Sequence, residues 1–416
     1  FTVTIWNPRI QPIEHVVRVP VTQKYSIRSP TGTIIPADFI PISEPTKNIP
    51  TFQGNNSRPE FQSSGAYLFR PFTPNPLPVS NSRNITCTYM GQVQIALIVY
   101  NNWVSQEMRI YDETRTVEIE WIVGPVPVED SIGKEIIMRY DTDIQSNGTF
   151  YTDANGREVL ERKRDYRPTW NYTVHENVSG NYYPVVSRIW IKDNQKQLTV
   201  LTDRSEGGSS IHDGSIELMV HRRLVYDDSL GAGEPMNEPA YGKGLVIQGR
   251  HVLVIEPPES SALYHRHVAQ SLFMNPLNTY ALPKLPYTNY SNSYHQTWSA
   301  LVELLPYNIH LLTFDPWSSK VFLIRIEHYF ELNEDKTYSK PVQIDLQNLF
   351  NTLGKIKNSI ELTLGGNLPL NEMNRLVWKT NDNQSSYWKP INSNLLQSTI
   401  VTLNPMEIKT FQVTLQ

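Results

Sequence analysis

Arg222 and Arg223 stand side by side in the stretch GSIELMVHRRLVYDDSLGAGEPMNE, residues 214–238, and Asp227, Asp228 and Glu234 follow close behind. The planar fork of arginine suits carboxylates and the hydroxyls of a polyol. Two guanidiniums and several carboxylates delivered to one loop are costly to bury without partners. The stretch opens as a strand, with Ile216, Leu218 and Val220 alternating with Glu217, Met219 and His221. Alternation puts the two arginines on opposite faces. Leu224 continues the apolar series through Arg222, so Arg222 is expected toward the core and Arg223 away from it, unless a bulge reverses them. One arginine is expected to pair with Asp227, Asp228 or Glu234. Adjacent carboxylates on an extended chain point apart, so Asp227 and Asp228 are not expected to share a proton.

Other candidates carry less chemistry. His265 and His267 have the spacing of a strand metal site, but their surroundings read as a helix, where the two side chains diverge. The basic run ERKRDYRP, 161–168, holds Glu161 and Asp165 and reads as an ion-paired strand end. Cys87 is the single cysteine, which excludes an internal disulfide framework. It is expected as a buried strand residue. Sequons occur at Asn55, Asn84, Asn147, Asn171, Asn177, Asn289 and Asn383. Those at 147, 171, 177 and 289 lie in polar turn-like stretches, which favours a secretory or lysosomal route.

The elements that must position these residues are strands. With 30 prolines and 20 glycines between short alternating runs, no helical period is sustained. Strands are expected at 1–6, 15–19, 92–100, 116–123, 187–191, 198–201, 216–220, 251–255, 310–314, 321–327, 359–364 and 410–415. A helix is expected at 260–273 and a short one at 346–353. The fold class is all-β, built of antiparallel sandwiches. Three segments are expected: a small β domain at 1–50, a large β-sandwich at 51–300 and a C-terminal β-sandwich at 301–416, with 275–295 as linker. A formal charge of −4 gives no electrostatic case for nucleic acid, and no apolar run is long enough for a membrane span. The chain opens within a strand pattern, as a mature or cleaved polypeptide does.

Several long motifs carry a resemblance: SGAYLFRP (64–71), FYTDANGREVLERKRDYRP (150–168), GNYYPV (180–185), LTVLTDRSEGGSS (198–210), the HRRL block and PMEIKTF (405–411). In these the chain resembles the C-terminal, β-rich part of the glycoside hydrolase family 38 α-mannosidases. His221 before the arginine pair is similar to the lysosomal, acid-active branch, where the Golgi branch usually has aspartate. The resemblance implies a mutarotase-like super-sandwich. It also implies retaining hydrolysis of terminal α-mannose from N-glycans, with nucleophile, acid/base and zinc ligands in an N-terminal catalytic part. No such motif is found here, so the catalytic set and the zinc ion are expected outside this chain.

What the resemblance assigns to this chain is a contribution to the pocket: Tyr67 and one of Arg222 and Arg223 as substrate-binding residues. The structural alternative for Tyr67 is a core tyrosine with a satisfied hydroxyl. The implied partners are the N-terminal catalytic part and a mannose-containing oligosaccharide, with a homodimer possible and a lysosomal or secreted, proteolytically processed glycoprotein as the setting. One departure stands out. The family has a further stretch between the small β unit and SGAYLFRP, where this chain runs from Pro50 into Thr51. The rival reading is a non-catalytic, secreted carbohydrate-binding β-sandwich protein, which 9 Trp and 22 Tyr would suit.

Overall fold

The computed structural model describes residues 2–7, 17, 19, 26–29, 33–35, 50–53, 62–112, 114–282, 284–301, 303–374 and 398–416. It is an all-β protein of antiparallel sheets, as expected. The chain divides into two compact units, Ala37–Phe273 and a discontinuous one formed by Phe1–Pro36 with Met274–Gln416.

The Ala37–Phe273 unit is a sandwich. A nine-stranded sheet runs from an edge at Glu158–Lys163, through central strands Ile247–Glu256 and Thr116–Val123, to the opposite edge at Asn84–Met90. A six-stranded sheet faces it, with Ser215–Arg223 and Lys134–Asp141 at its centre. Alternation delivers one face of each sheet to a shared interior. Ile119, Trp121 and Val123 of the first meet Ile136, Met138 and Val220 of the second. Ile189, Ile191 and Val200 meet Ile216 and Leu218 in the same way. Burial of this kind contributes about 1.5–3 kcal/mol per large side chain.

The outer faces are covered as well. The Pro258–Phe273 helix starts with proline at its first position and Glu259 in its first turn, both favourable there. It buries Ala262, His265, Arg266 and Ala269, one stripe at helical spacing, over Leu201, Val252 and Val254. Behind the six-stranded sheet, Ile137 and Val178 form a second small core with Phe69, Tyr182 and Met219.

The other unit holds a four-stranded sheet in the order Ile309–Ser318, Val321–His328, Ile408–Leu415, Ile356–Leu362. Its core gathers Ile324, Ile326, Phe350, Phe411 and Val413. Here the structure differs from the expected segmentation. Thr2–Trp6 pairs with Leu277–Ala281, because an isolated strand must find hydrogen-bond partners for its backbone. The expected linker at 275–295 therefore holds that strand and a short helix, Tyr287–Ser293. The expected helix at 346–353 is a 3-10 turn, Leu346–Phe350, capped by the Asp345 side chain. The strand expected at 15–19 falls largely outside the described residues. Cys87 is on a strand but exposed, not buried, because its strand is the sheet edge with little covering either face.

Gly249 tests the packing of the sandwich. It lies opposite Trp121, and a Cβ there would sit 2.2 Å from the buried indole. Gly249→Ala should cost about 1–3 kcal/mol by overpacking. Thermal denaturation should show a fall of about 2–4 °C per kcal/mol in a unit of this size.

Candidate functional site

The Ser215–Arg223 strand does not keep its alternation. Met219 pairs with Ile137 and His221 with Ile136, so Val220 is an extra residue, a bulge. Ile216, Leu218 and Val220 face the interior as expected. Beyond the bulge every side chain changes face. Arg222 comes opposite Glu135, on the outer side of the six-stranded sheet. Arg223 turns the other way and donates to Asn237 Oδ1 at 2.7 Å and to the Val126 carbonyl. The expected orientation of the two arginines is thus reversed: Arg223 ties down backbone and Arg222 opens onto a concavity.

That concavity measures about 940 Å³ and is lined by Tyr67, His175, Glu206, His221, Arg222 and Glu238, among others. Arg222 Nε donates to Glu135 Oε1 at 2.8 Å, and Nη2 donates to the same oxygen and to the Leu68 carbonyl. Ser64 Oγ donates to Glu135 Oε1 at 2.8 Å and accepts from the Arg70 amide at 2.9 Å. Glu135 is 0% exposed, and its Oε2 has no hydrogen-bond partner. Burial pushes its carboxyl up, against the opposing pull of Arg222 and Ser64.

Tyr67 is not a core tyrosine. Its side chain is 65% exposed, and what fixes it is its backbone. The amides of Tyr67 and Leu68 donate to Asp228 Oδ2 at 2.6 and 3.1 Å. Gly65 lets this approach happen, since a Cβ there would lie 2.6 Å from that of Asp228. Burial opposes charge on Asp228, but the amides of Tyr67, Leu230 and Leu68, with nearby Arg222, outweigh it and hold the carboxyl below its ordinary range. Asp227 accepts only from the Ser229 amide of its own loop among the described residues, so of the two neighbouring carboxylates Asp228 alone reaches the Tyr67 turn.

Sequence reasoning missed Glu135, Ser64 and a buried polar chain. Tyr140 meets His251 Nδ1 at 2.8 Å, and His251 Nε2 lies 3.0 Å from Glu206 Oε2. Burial raises the Tyr140 hydroxyl well above its usual range, so it keeps its proton. The local signal was weak: a glutamate inside the apolar strand KEIIMRYD and a lone histidine in a valine-rich one. His265 is buried against Trp190 and Arg188, and burial holds it well below its ordinary value. Among the described residues no group of three or more His, Cys, Asp or Glu could hold a metal ion. The basic run is absorbed structurally: Arg164 pairs with Asp213 at 3.1 Å and Arg162 lies over the Tyr183 ring. Asn84, Asn147, Asn171, Asn177 and Asn289 are exposed, while Asn55 and Asn383 lie outside the described residues.

The architecture defines a β-sandwich with an arginine-and-tyrosine concavity on one face. Residues 45–230 match the model for the glycosyl hydrolases family 38 C-terminal domain. The chain is 45% identical over 358 residues to lysosomal alpha-mannosidase of Mus musculus, which covers 85% of this chain and 35% of the relative. The Homo sapiens protein of that name is 43% identical over 357 residues, again 85% and 35%. The chain thus spans about a third of the length of these relatives. An alignment with the Felis catus protein, 35% identical, covers 100% of this chain and 49% of that one. It runs over 497 positions, more than the 416 residues here, so the cat protein has residues that this chain lacks. An alpha-mannosidase structure from Enterococcus faecalis superposes with a TM-score of 0.56 at 12% identity, over 88% of this chain and 38% of that one. Residues 45–230 thus carry a glycosyl hydrolases family 38 C-terminal domain, and the similarity to these relatives runs over most of the chain.

Two outcomes follow from the site's electrostatics. Arg222→Ala removes the cation beside the buried Glu135 and should cost about 3–5 kcal/mol of stability by chemical denaturation. Replacing both partners, Arg222→Met with Glu135→Leu, should cost much less. The second concerns Glu217, which is 2% exposed and accepts from the Tyr182 hydroxyl at 2.6 Å. Burial pushes it up to about 7 from an ordinary 4.5. The folded state therefore holds a proton that the unfolded state releases between those values. Stability should fall as pH rises from about 4.5 to about 7, by on the order of 3 kcal/mol, then level off. Melting curves across that range should show the slope, and Glu217→Gln should flatten it.

Proposed function

We propose that this chain is the C-terminal part of a retaining exo-α-mannosidase that removes terminal α-mannose from N-glycans in a lysosomal or secreted setting. The whole protein's activity belongs to an N-terminal part that supplies the carboxylate pair and holds the zinc ion. This chain supplies the scaffold and two groups of the substrate pocket, Tyr67 and Arg222. The observation that carries the reading is the exposed Tyr67 ring held beside Arg222 in one concavity by loops from distant motifs.

The chemistry is that of sugar recognition. A mannoside ring must be held by its hydroxyls while it distorts toward an oxocarbenium-like transition state. The Tyr67 hydroxyl can donate to or accept from one of them. The Arg222 guanidinium stays charged at acid pH and spends Nε and Nη2 on Glu135 and Leu68, which leaves Nη1 for a ligand. The exposed sequons fit a glycoprotein, and a large dry interface, above about 1,600 Å², is expected with the N-terminal part.

In the assembled enzyme, Tyr67→Phe should lower kcat/KM for an aryl α-mannoside roughly ten- to hundredfold with an unchanged melting temperature. The isolated chain should be inactive. Full activity in Tyr67→Phe would reduce this chain to a scaffold. Turnover by the chain alone would place the catalytic carboxylates within it and defeat the division of labour.

A further inference from the structure

We propose that Asp228 is a positioning residue for Tyr67, setting the aim of its hydroxyl through the backbone alone; this rests on the reading of Tyr67 given above. A side chain that packs against neighbours is aimed by packing. Tyr67, at 65% exposure, has little packing to aim it, and no hydrogen bond engages its hydroxyl among the described residues. Its direction is inherited from the turn that carries it. That turn is gripped on both sides of one residue, Leu68. Leu68 gives its amide to Asp228 Oδ2 at 3.1 Å and its carbonyl accepts from Arg222. Tyr67 adds its own amide to the same Asp228 oxygen at 2.6 Å, and Gly65 donates across the turn to the Leu68 carbonyl at 3.0 Å.

Asp228 is 0% exposed, and its hydrogen-bond partners among the described residues are all backbone amides, the third being Leu230 at 3.1 Å. Burying a carboxylate for three amides is an expensive way to hold a loop that has no other task. It gives rigidity at the one residue whose side chain needs it. Rotating the Tyr67 backbone by about ten degrees moves its hydroxyl by about 1 Å, beyond the tolerance of a preorganised site, and such a misplacement costs on the order of a hundredfold in rate.

The test is a double-mutant cycle in the assembled enzyme, with kcat and KM separated and melting temperature recorded. Asp228→Ala strips three amides of their acceptor and puts folding at risk, so Asp228→Asn, which keeps one oxygen for the Tyr67 and Leu68 amides, is the main variant. Asp228→Asn should lower kcat about tenfold or less and Asp228→Ala more. In a Tyr67→Phe background Asp228→Asn should cost no further activity, because the group it aims is gone. A full additional loss in that background would overturn the positioning role while leaving the Tyr67 reading intact. An undiminished kcat in Asp228→Asn, with Tyr67→Phe impaired, would overturn it too. An unimpaired Tyr67→Phe would overturn both.

Discussion

The candidate site depends on one buried charge. Glu135 sits on a central strand of the six-stranded sheet with 0% exposure, where a carboxylate is tolerable only with a cation and hydrogen bonds beside it. Its Oε1 takes all of them, from Ser64 and from two nitrogens of Arg222. That demand fixes the guanidinium, the guanidinium fixes the Leu68 carbonyl, and Ser64 fixes the start of the same turn. The exposed Tyr67 is therefore located by a charge that lies beneath it.

The pairing exists only because the strand carries a bulge. Without the extra residue at Val220, Arg222 would enter the sandwich interior among Ile136 and Met138, and Glu135 would be left alone. A single inserted residue lets one strand serve an apolar core along most of its length and a polar site at its end. Nothing in SIELMVHRR marks where the insertion falls, since Val220 is apolar and fits the core in either register. The sequence pattern therefore leads to the wrong face for both arginines.

The same limit explains what was and was not legible elsewhere. Strands with one interior face, such as Thr116–Val123, show clean alternation and their positions follow from it. Lys134–Asp141 does not, because Ile136 packs inside the sandwich while Ile137 packs behind it, so adjacent residues are both buried. The edge strand Asn84–Met90 has few buried positions to generate a pattern. The sequence shows that Arg222, Asp228 and Tyr67 exist in recognisable motifs. It does not show that Asp228 grips the turn of Tyr67, since that contact spans 161 positions and is made to backbone amides, which every residue but proline offers.

Three carboxylates of this one region respond to acid in different ways, and the difference lies in their partners. Glu217 is pushed up by burial, which favours its protonated form, against the weaker pull of the Tyr182 hydroxyl that donates to it. Glu135 is also raised by burial, with Arg222 pulling against it. Asp228 has three amide donors, which favour its charged form. Mild acid therefore relieves the burial penalty of Glu217 while the grip of Asp228 on Tyr67 and Leu68 keeps its charge. The carboxylate that grips the Tyr67 turn thus keeps its charge into more acid solution than Glu217 does.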